Sequence, residues 1–206
     1  MPLSTIWSQA WEKFWNKNWS VGVLLTLGLS LLSLIPVVGV ILSFILSVVL
    51  NYYALQVWRS DAPVEFGQAF PPLISYAKIL LGALIIGLIG GGLVLPIFYM
   101  RELMSVNLLF VLAGLIIFVG VVTFYFFSYF ILEREAGVFE ALRGSLTILL
   151  QNPGKSILFI LTLILVNLLG LLALGVGLLV AQPLGYIGGA GFYLTHRPDS
   201  SSPKLA

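Results

Sequence analysis

The sequence predicts an all-α polytopic membrane protein with six transmembrane helices, arranged as three hairpins that are each preceded by a cytoplasmic interfacial amphipathic segment. Three observations support this fold class. The chain of 206 residues is 60% hydrophobic and 9% charged, whereas a soluble globular domain is about 45–50% apolar and 25% charged. Long stretches carry no charged residue. Four of the five tryptophans recur at every fourth position of one short segment.

The tryptophan segment comes first and reads AWEKFWNKNW from Ala10. On an α-helix Trp7, Trp11, Trp15 and Trp19 lie on one side, because residues four apart turn by only about 40°. The opposite side carries the polar residues Gln9, Glu12, Lys13, Asn16 and Lys17. Indoles opposite lysines are typical of a helix in a membrane interface, so we interpret the tryptophans as interface anchors. A stacking platform for single-stranded nucleic acid and a core-facing helix are the alternatives.

The spans are predicted from four stretches that lack charged residues: Lys17 to Arg59, Lys78 to Arg101, Glu102 to Glu133 and Lys155 to His196. A transmembrane helix needs about 20 residues, so the first and last stretches hold two spans each and the others one. Helix-breaking residues at 35–39 (IPVVG) and 173–177 (ALGVG) predict the turns within the long stretches. The predicted spans are 19–35, 38–58, 76–96, 107–132, 156–173 and 176–195.

The basic residues predict the orientation. With the N-terminus inside, all of them except Arg101 lie on the cytoplasmic side, in short loops or tails where the positive-inside rule applies. We therefore expect a multi-pass protein of the cell (inner or plasma) membrane with both termini cytoplasmic and an uncleaved first span. The polar residues 196–206 are expected to form a disordered cytoplasmic tail.

A five-residue pattern occurs three times: a bulky residue, any residue, Gln or Glu, Ala and a second bulky residue. The copies are WSQAW at 7–11, FGQAF at 66–70 and VFEAL at 138–142. Each copy precedes two predicted spans, which indicates one transmembrane domain with internal repeats. The domain is 1–195, and the repeats are 3–60, 61–134 and 135–195.

The repeats, the ALRGS sequence at 141–145 and the QNPGKS turn at 151–156 together resemble a bacterial superfamily of integral membrane proteins. This superfamily includes the membrane domain of some glycerophosphoryl diester phosphodiesterases and related families of unknown function. The resemblance covers nearly the whole chain and implies an architecture. It implies no catalytic residue, because this sequence holds no soluble phosphodiesterase barrel.

Few residues suggest chemistry. The interiors of the predicted spans carry no charged side chain, which argues against proton-coupled transport, metal transport and intramembrane proteolysis. The absence of cysteine excludes disulfides and thiol catalysis, and a net charge of +2 is too small to indicate nucleic-acid binding. His196, the single histidine, follows the last span and is not expected to act as a ligand or base. We therefore predict no catalytic, cofactor or metal site, and no enzyme.

Uncharged residues supply the remaining candidates. Three amides either line a path for a solute or join helices by hydrogen bonds: Asn51, Asn167 and Gln182. Two glycine patches favour close helix packing or a partner's docking groove: Gly87, Gly90, Gly91 and Gly92 in the third span, and Gly185, Gly188, Gly189 and Gly191 in the sixth. The run EREAGVFEALR from Glu133 is interpreted as a solvated face with internal ion pairs, with a partner-docking surface as the alternative.

Two hypotheses for function follow from these observations. The first is a non-enzymatic interaction partner, accessory subunit or organising factor for membrane proteins or lipids, whose partners are membrane lipids and either another membrane protein or a second copy. The second is a permease or channel for a neutral or lipid-like solute, in which the three amides line a path between the repeats.

Overall fold

The computed structural model describes residues 1–32, 38–60, 62–99, 105–173 and 176–198. These residues form no strand and eight α-helices: α1 Leu3–Lys13, α2 Trp19–Leu32, α3 Val38–Arg59, α4 Leu73–Tyr99, α5 Val106–Arg134, α6 Val138–Gln151, α7 Pro153–Leu172 and α8 Leu178–His196. Two short turns accompany them, a π-helical turn at Phe14–Asn18 and a 3₁₀ turn at Phe66–Ala69. The predicted all-helical class is confirmed.

Among the described residues, four stretches are long and apolar enough to cross a membrane: Ile41–Arg59, Phe66–Ile97, Asn107–Arg134 and Pro153–Leu172. They coincide with the second to fifth predicted spans. The first predicted span is described over only the 14 residues of α2, and the 19 residues of α8 include four glycines, a glutamine and a proline that lower its hydropathy. The centres of both predicted turns, Arg101 and the tail beyond Pro198 lie outside the described residues.

The first segment continues into α2 through the π-helical turn, without a break in the helical backbone. Asn18 fixes this junction. Its side-chain amide donates to the Lys13 carbonyl (2.9 Å) and accepts from the backbone N–H of Val64 (3.0 Å). Its own carbonyl accepts from the Tyr53 hydroxyl (2.5 Å). A buried amide with all these partners ties the wide π-helical turn to α3 and to the loop that follows α3.

The three predicted interfacial segments take different forms. The first and third form the helices α1 and α6, whereas FGQAF forms only the 3₁₀ turn. Prolines on both sides of that turn, at 63, 71 and 72, prevent a longer helix because they lack an N–H donor. A capping box between Glu65 and Gln68 closes the turn. The alanine of each predicted repeat is nevertheless fully buried, at Ala10, Ala69 and Ala141.

Helix α8 lies at the centre of the bundle and contacts α1, α2, α3, α5 and α7. Each of its four glycines accepts a large side chain from a different helix. A β-carbon on Gly188 would lie 3.0 Å from the Trp7 ring, and one on Gly185 would lie 2.6 Å from a Leu163 methyl group. A β-carbon on Gly189 or Gly191 would collide with the ring of Tyr125 or Trp58, respectively. The sixth-span glycine patch therefore serves close packing within the chain.

The same small residues expose the backbone carbonyls of α8 to side-chain donors. Tyr125 donates its hydroxyl to the Gly185 carbonyl (3.0 Å), Tyr129 to the Tyr186 carbonyl (3.0 Å) and the Trp58 indole to the Ile187 carbonyl (2.6 Å). A helical side chain covers the turn that precedes it, and the residues four positions after these carbonyls are Gly, Ala and Gly. Each carbonyl has a second lone pair, so small residues allow the aromatic donors to reach it.

A matched pair of substitutions tests the packing of α8. We expect Gly189→Ala to destabilise the protein by about 1–3 kcal/mol, because the new methyl group overlaps Tyr125. Gly91→Ala on α4 meets no described atom within 4 Å, so it should stabilise by about 0.5–1 kcal/mol through helix propensity alone. Thermal unfolding in detergent measures both changes. Equal shifts of the melting temperature for the two variants would contradict this packing.

Candidate functional site

The first helical segment, which comprises α1, the π-helical turn and the first residue of α2, has three flanks rather than two. Ile6, Ala10 and Phe14 are fully buried against the bundle. Beside them, Trp11, Trp15 and Trp19 are 50%, 42% and 50% exposed. The third flank carries the polar residues Gln9, Glu12, Lys13 and Asn16. The sequence predicted a side with indoles and an opposite polar side, and the structure adds a buried flank between them.

Trp7 differs from the other three tryptophans. Its ring stacks on Phe159 of α7, with centroids 5.7 Å apart, and lies against the glycine gap at Gly188 of α8. Its indole nitrogen is buried and has no hydrogen-bond partner among the described residues. Trp7 is therefore a packing residue that joins α1 to α7 and α8, and the exposed tryptophan stripe consists of Trp11, Trp15 and Trp19.

Helix α6 repeats the three-flank arrangement. Its buried flank is Ala141, Ser145, Ile148 and Leu149. Its exposed apolar flank includes Phe139, Leu146 and Leu150, and its polar flank is Glu140, Arg143, Thr147 and Gln151. Going round α1 and α6 in the same rotational sense, the order of the flanks is buried, exposed apolar, polar. Two helices that begin different predicted repeats thus present the same sequence of surfaces.

The three candidate amides do not converge. Asn167 and Gln182 both line a cavity of about 230 Å³ between α5, α7 and α8, together with Tyr125 and Tyr186. Asn51 does not line it. Each asparagine donates its amide to the carbonyl four residues earlier on its own helix, Asn51 to Ser47 (2.9 Å) and Asn167 to Leu163 (2.8 Å). Neither of these two hydrogen bonds joins neighbouring helices.

Three glycines of the first patch, Gly87, Gly90 and Gly91, lie on a face of α4 that the described residues leave uncovered. No described atom lies within 4 Å of a β-carbon placed at Gly87, Gly90 or Gly91. Ala83, Gly87 and Gly91 follow one another on this face, one helical turn apart. They form one wall of a groove of about 580 Å³ between α4 and α5. The other wall includes Gly120 and Phe124 of α5. Packing among the described residues explains Gly188 and Gly189, but it does not explain the glycines of α4.

An ionic cluster joins the ends of three helices, and the sequence indicated it only in part. Glu133, at the end of α5, has a side chain that is 7% exposed, so it is not part of a solvated face. Its carboxylate pairs with Arg59 at the end of α3 (3.2 Å) and with Arg197 after α8. It also accepts a hydrogen bond from the Tyr193 hydroxyl (2.5 Å) and lies 3.7 Å from Arg134. The run EREAGVFEALR indicated that Glu133 and Arg134 take part in ion pairs. The partners Arg59 and Arg197 could not be predicted, because they are far from Glu133 in the sequence.

His196 ends α8 beside this cluster. Its ring stacks on Phe192 (4.3 Å between centroids). Nδ1 must donate to the Phe192 carbonyl (3.0 Å), because a carbonyl only accepts. Burial lowers the pKa of His196 below its usual value, and this outweighs the hydrogen bond to Phe192, which acts in the opposite direction. Packing at the helix end and the hydrogen bond to Phe192 explain the position of His196.

Comparison of the chain with protein families, with curated proteins and with solved structures finds no match in any of the three. The resemblance to the phosphodiesterase membrane-domain superfamily stays a prediction.

Proposed function

We propose that this protein is a non-enzymatic subunit or organiser of a membrane assembly, and that it binds a transmembrane helix of another membrane protein in the groove between α4 and α5. The observation that carries this proposal is the uncovered glycine face of α4. Lipid tails offer apolar helices no hydrophobic drive to associate, so transmembrane helices associate mainly by close packing at small residues. Ala83, Gly87 and Gly91 follow each other at four-residue spacing along one wall of the groove.

The cost of these glycines supports the same proposal. Each glycine in a helix interior costs about 0.5–1 kcal/mol relative to alanine. Helix α4 carries four of them within the six residues 87–92, and no described atom of the chain packs against them. The compensating contact is therefore expected from outside the chain. An apolar groove without charge favours a transmembrane helix with small or apolar residues on one face over a polar ligand.

The proposal includes the membrane architecture. We place α2, α3, α4, α5, α7 and α8 as six spans, with the ends of α3, α5 and α8 on the cytoplasmic side of the cell membrane. The central position of α8 supports its assignment as a span. A helix surrounded by five others needs less hydropathy than one that faces lipid. The contacts of α2 with α3, α4 with α5 and α7 with α8 agree with three hairpins.

Helices α1 and α6 are proposed to lie at the cytoplasmic interface. Their three flanks match the three surroundings that exist there: the bundle, the hydrocarbon edge and water. The exposed indoles of Trp11, Trp15 and Trp19 fit headgroup depth, because an indole has an apolar body and one N–H to hydrate. Buried residues also hold α1 to the bundle, so the tryptophans are not its only attachment.

A path for a neutral solute is the second candidate. The cavity that Asn167 and Gln182 share favours it, since hydroxyl and amide groups there can bind a small hydrogen-bonding molecule. The separate location of Asn51 weakens it, because a continuous polar path would need further polar groups beyond this cavity. The cavity of about 230 Å³ is smaller than the α4–α5 groove.

Photocrosslinking from the groove tests the proposed helix partner. A photoreactive side chain at Val94, which lines the groove, should give a protein adduct of one discrete mass in native membranes. Filling the groove by Gly87→Ile with Gly91→Ile should reduce this adduct at least about tenfold, since about 1.4 kcal/mol of lost packing suffices. An adduct of twice the chain mass would identify a second copy as the occupant.

Gly114→Ile is the matched control. It places the same side chain in open space on α5, where no described atom lies within 4 Å of the β-carbon and outside the groove lining. The adduct should persist in this variant. Crosslinks to lipid alone would contradict the proposed helix partner. An adduct that is equally abundant with the original groove, with Gly87→Ile and Gly91→Ile, and with Gly114→Ile would also contradict it.

Single-tryptophan variants test the interface placement of α1. With the other tryptophans replaced by phenylalanine, Trp15 should give blue-shifted emission that lipids brominated near the headgroup quench strongly. Trp7 alone should be quenched much less, because its ring is covered by Phe159 and Gly188. Emission typical of water from Trp15 in intact membranes, or equal quenching of both residues, would contradict the placement.

A further inference from the structure

Three arginines from separate parts of the chain surround one carboxylate at the end of the bundle. Arg59 and Arg197 contact the same oxygen of Glu133, and Tyr193 and Arg134 approach the other oxygen. Arg134 also donates to the Pro198 carbonyl (2.9 Å). These contacts hold the guanidinium groups within one small region where α3, α5 and α8 end.

Among the described residues, the charges of this cluster do not balance. Three guanidinium groups face one carboxylate there, an excess of two positive charges, and no second carboxylate of the described chain forms an ion pair with them. Glu133 is nearly buried, whereas Arg59, Arg134 and Arg197 keep 41%, 27% and 32% of their side chains exposed. A guanidinium group has five N–H donors, so one carboxylate cannot occupy the donors of all three.

We propose that this arginine cluster binds the phosphate of an anionic phospholipid headgroup. Arginine is suited to the task because its planar fork donates two parallel hydrogen bonds to a phosphate. Glu133 positions the three side chains before the lipid binds, and the remaining positive charge attracts the phosphodiester. Basic pockets between transmembrane helices on the cytoplasmic side are a recurrent way of holding such headgroups.

The lipid is favoured over a free phosphate by the surroundings of the cluster. The proposal rests on the proposed membrane placement, in which the ends of α3, α5 and α8 lie at headgroup depth. Arg59 and Arg134 are the last residues of two of the stretches that are long and apolar enough to cross a membrane, Ile41–Arg59 and Asn107–Arg134. The headgroup layer lies at the ends of spanning helices. A phosphate attached to a lipid is concentrated at this depth, whereas a soluble phosphate must be drawn from water.

Native mass spectrometry of the full chain tests the lipid site. The protein, purified in mild detergent with equal amounts of phosphatidylglycerol and phosphatidylcholine, should retain phosphatidylglycerol preferentially. Arg59→Gln and Arg197→Gln should each lower that retention about tenfold, the effect of losing one charge-assisted hydrogen bond. Arg143→Gln removes the same charge from an exposed position on α6 and should leave retention unchanged.

Two further measurements distinguish a lipid site from a site for soluble phosphate and from a purely structural cluster. Arg59→Lys preserves the charge without the guanidinium fork, so it should retain an intermediate amount of lipid even if the glutamine variants unfold. Inorganic phosphate at millimolar concentration should not displace the lipid, and displacement would show a site for soluble phosphate instead. Equal retention by wild type, Arg59→Lys, Arg59→Gln and Arg143→Gln would overturn the proposal and leave the cluster as a clamp between helices. Gly87→Ile with Gly91→Ile should retain the lipid, which separates this site from the helix groove.

Discussion

Close contact between α8 and four neighbouring helices is the constraint on which the bundle depends. Glycines at 185, 188, 189 and 191 remove the side chains that would separate the helix axes. Large residues from α1, α3, α5 and α7 fill the space, and two of them, Trp58 and Tyr125, donate to α8 carbonyls that the glycines leave open. Glycine at these positions therefore allows close packing and also leaves backbone carbonyls open to accept hydrogen bonds. An indole N–H or a phenol O–H that is buried away from water needs such an acceptor.

The position of α8 also determines what remains available on the outside. Helix α1 packs on the bundle through Ile6, Trp7 and Ala10, whereas Trp11 stays exposed. Helix α4 contacts mainly α5 and α6, and its glycine face has no counterpart within the described chain. The ends of α3, α5 and α8 converge because these helices are neighbours, and this convergence brings three arginines to Glu133. The proposed functional surfaces are thus by-products of a core built around a single helix.

Local patterns in the sequence predicted the helices well, since charge-free stretches and helix breakers are properties of adjacent residues. The same patterns could not separate the two glycine patches. Gly87 and Gly91 have the same four-residue spacing as Gly185 and Gly189, and only the arrival of Tyr125 at Gly189 makes one patch internal. Local patterns also could not predict the hydrogen bonds of Asn18 with Tyr53 and Val64, because these residues are distant in the chain. The same holds for the ion pairs of Glu133 with Arg59 and Arg197. The prolines at 63, 71 and 72 did contain a local signal against a helix at FGQAF.

Oxygen accessibility of spin labels tests the central claim, that α4 presents an uncovered glycine face while α8 is enclosed. The chain has no cysteine, so single labels can be introduced without removing native thiols. In nanodiscs that each hold one copy of the protein, labels at Gly87 and Gly91 should be as accessible to oxygen as a label at Leu88. Leu88 is 76% exposed. A label at Ala190, which is fully buried, should be inaccessible. Protection of Gly87 and Gly91 equal to that of Ala190 in the isolated chain would contradict the account.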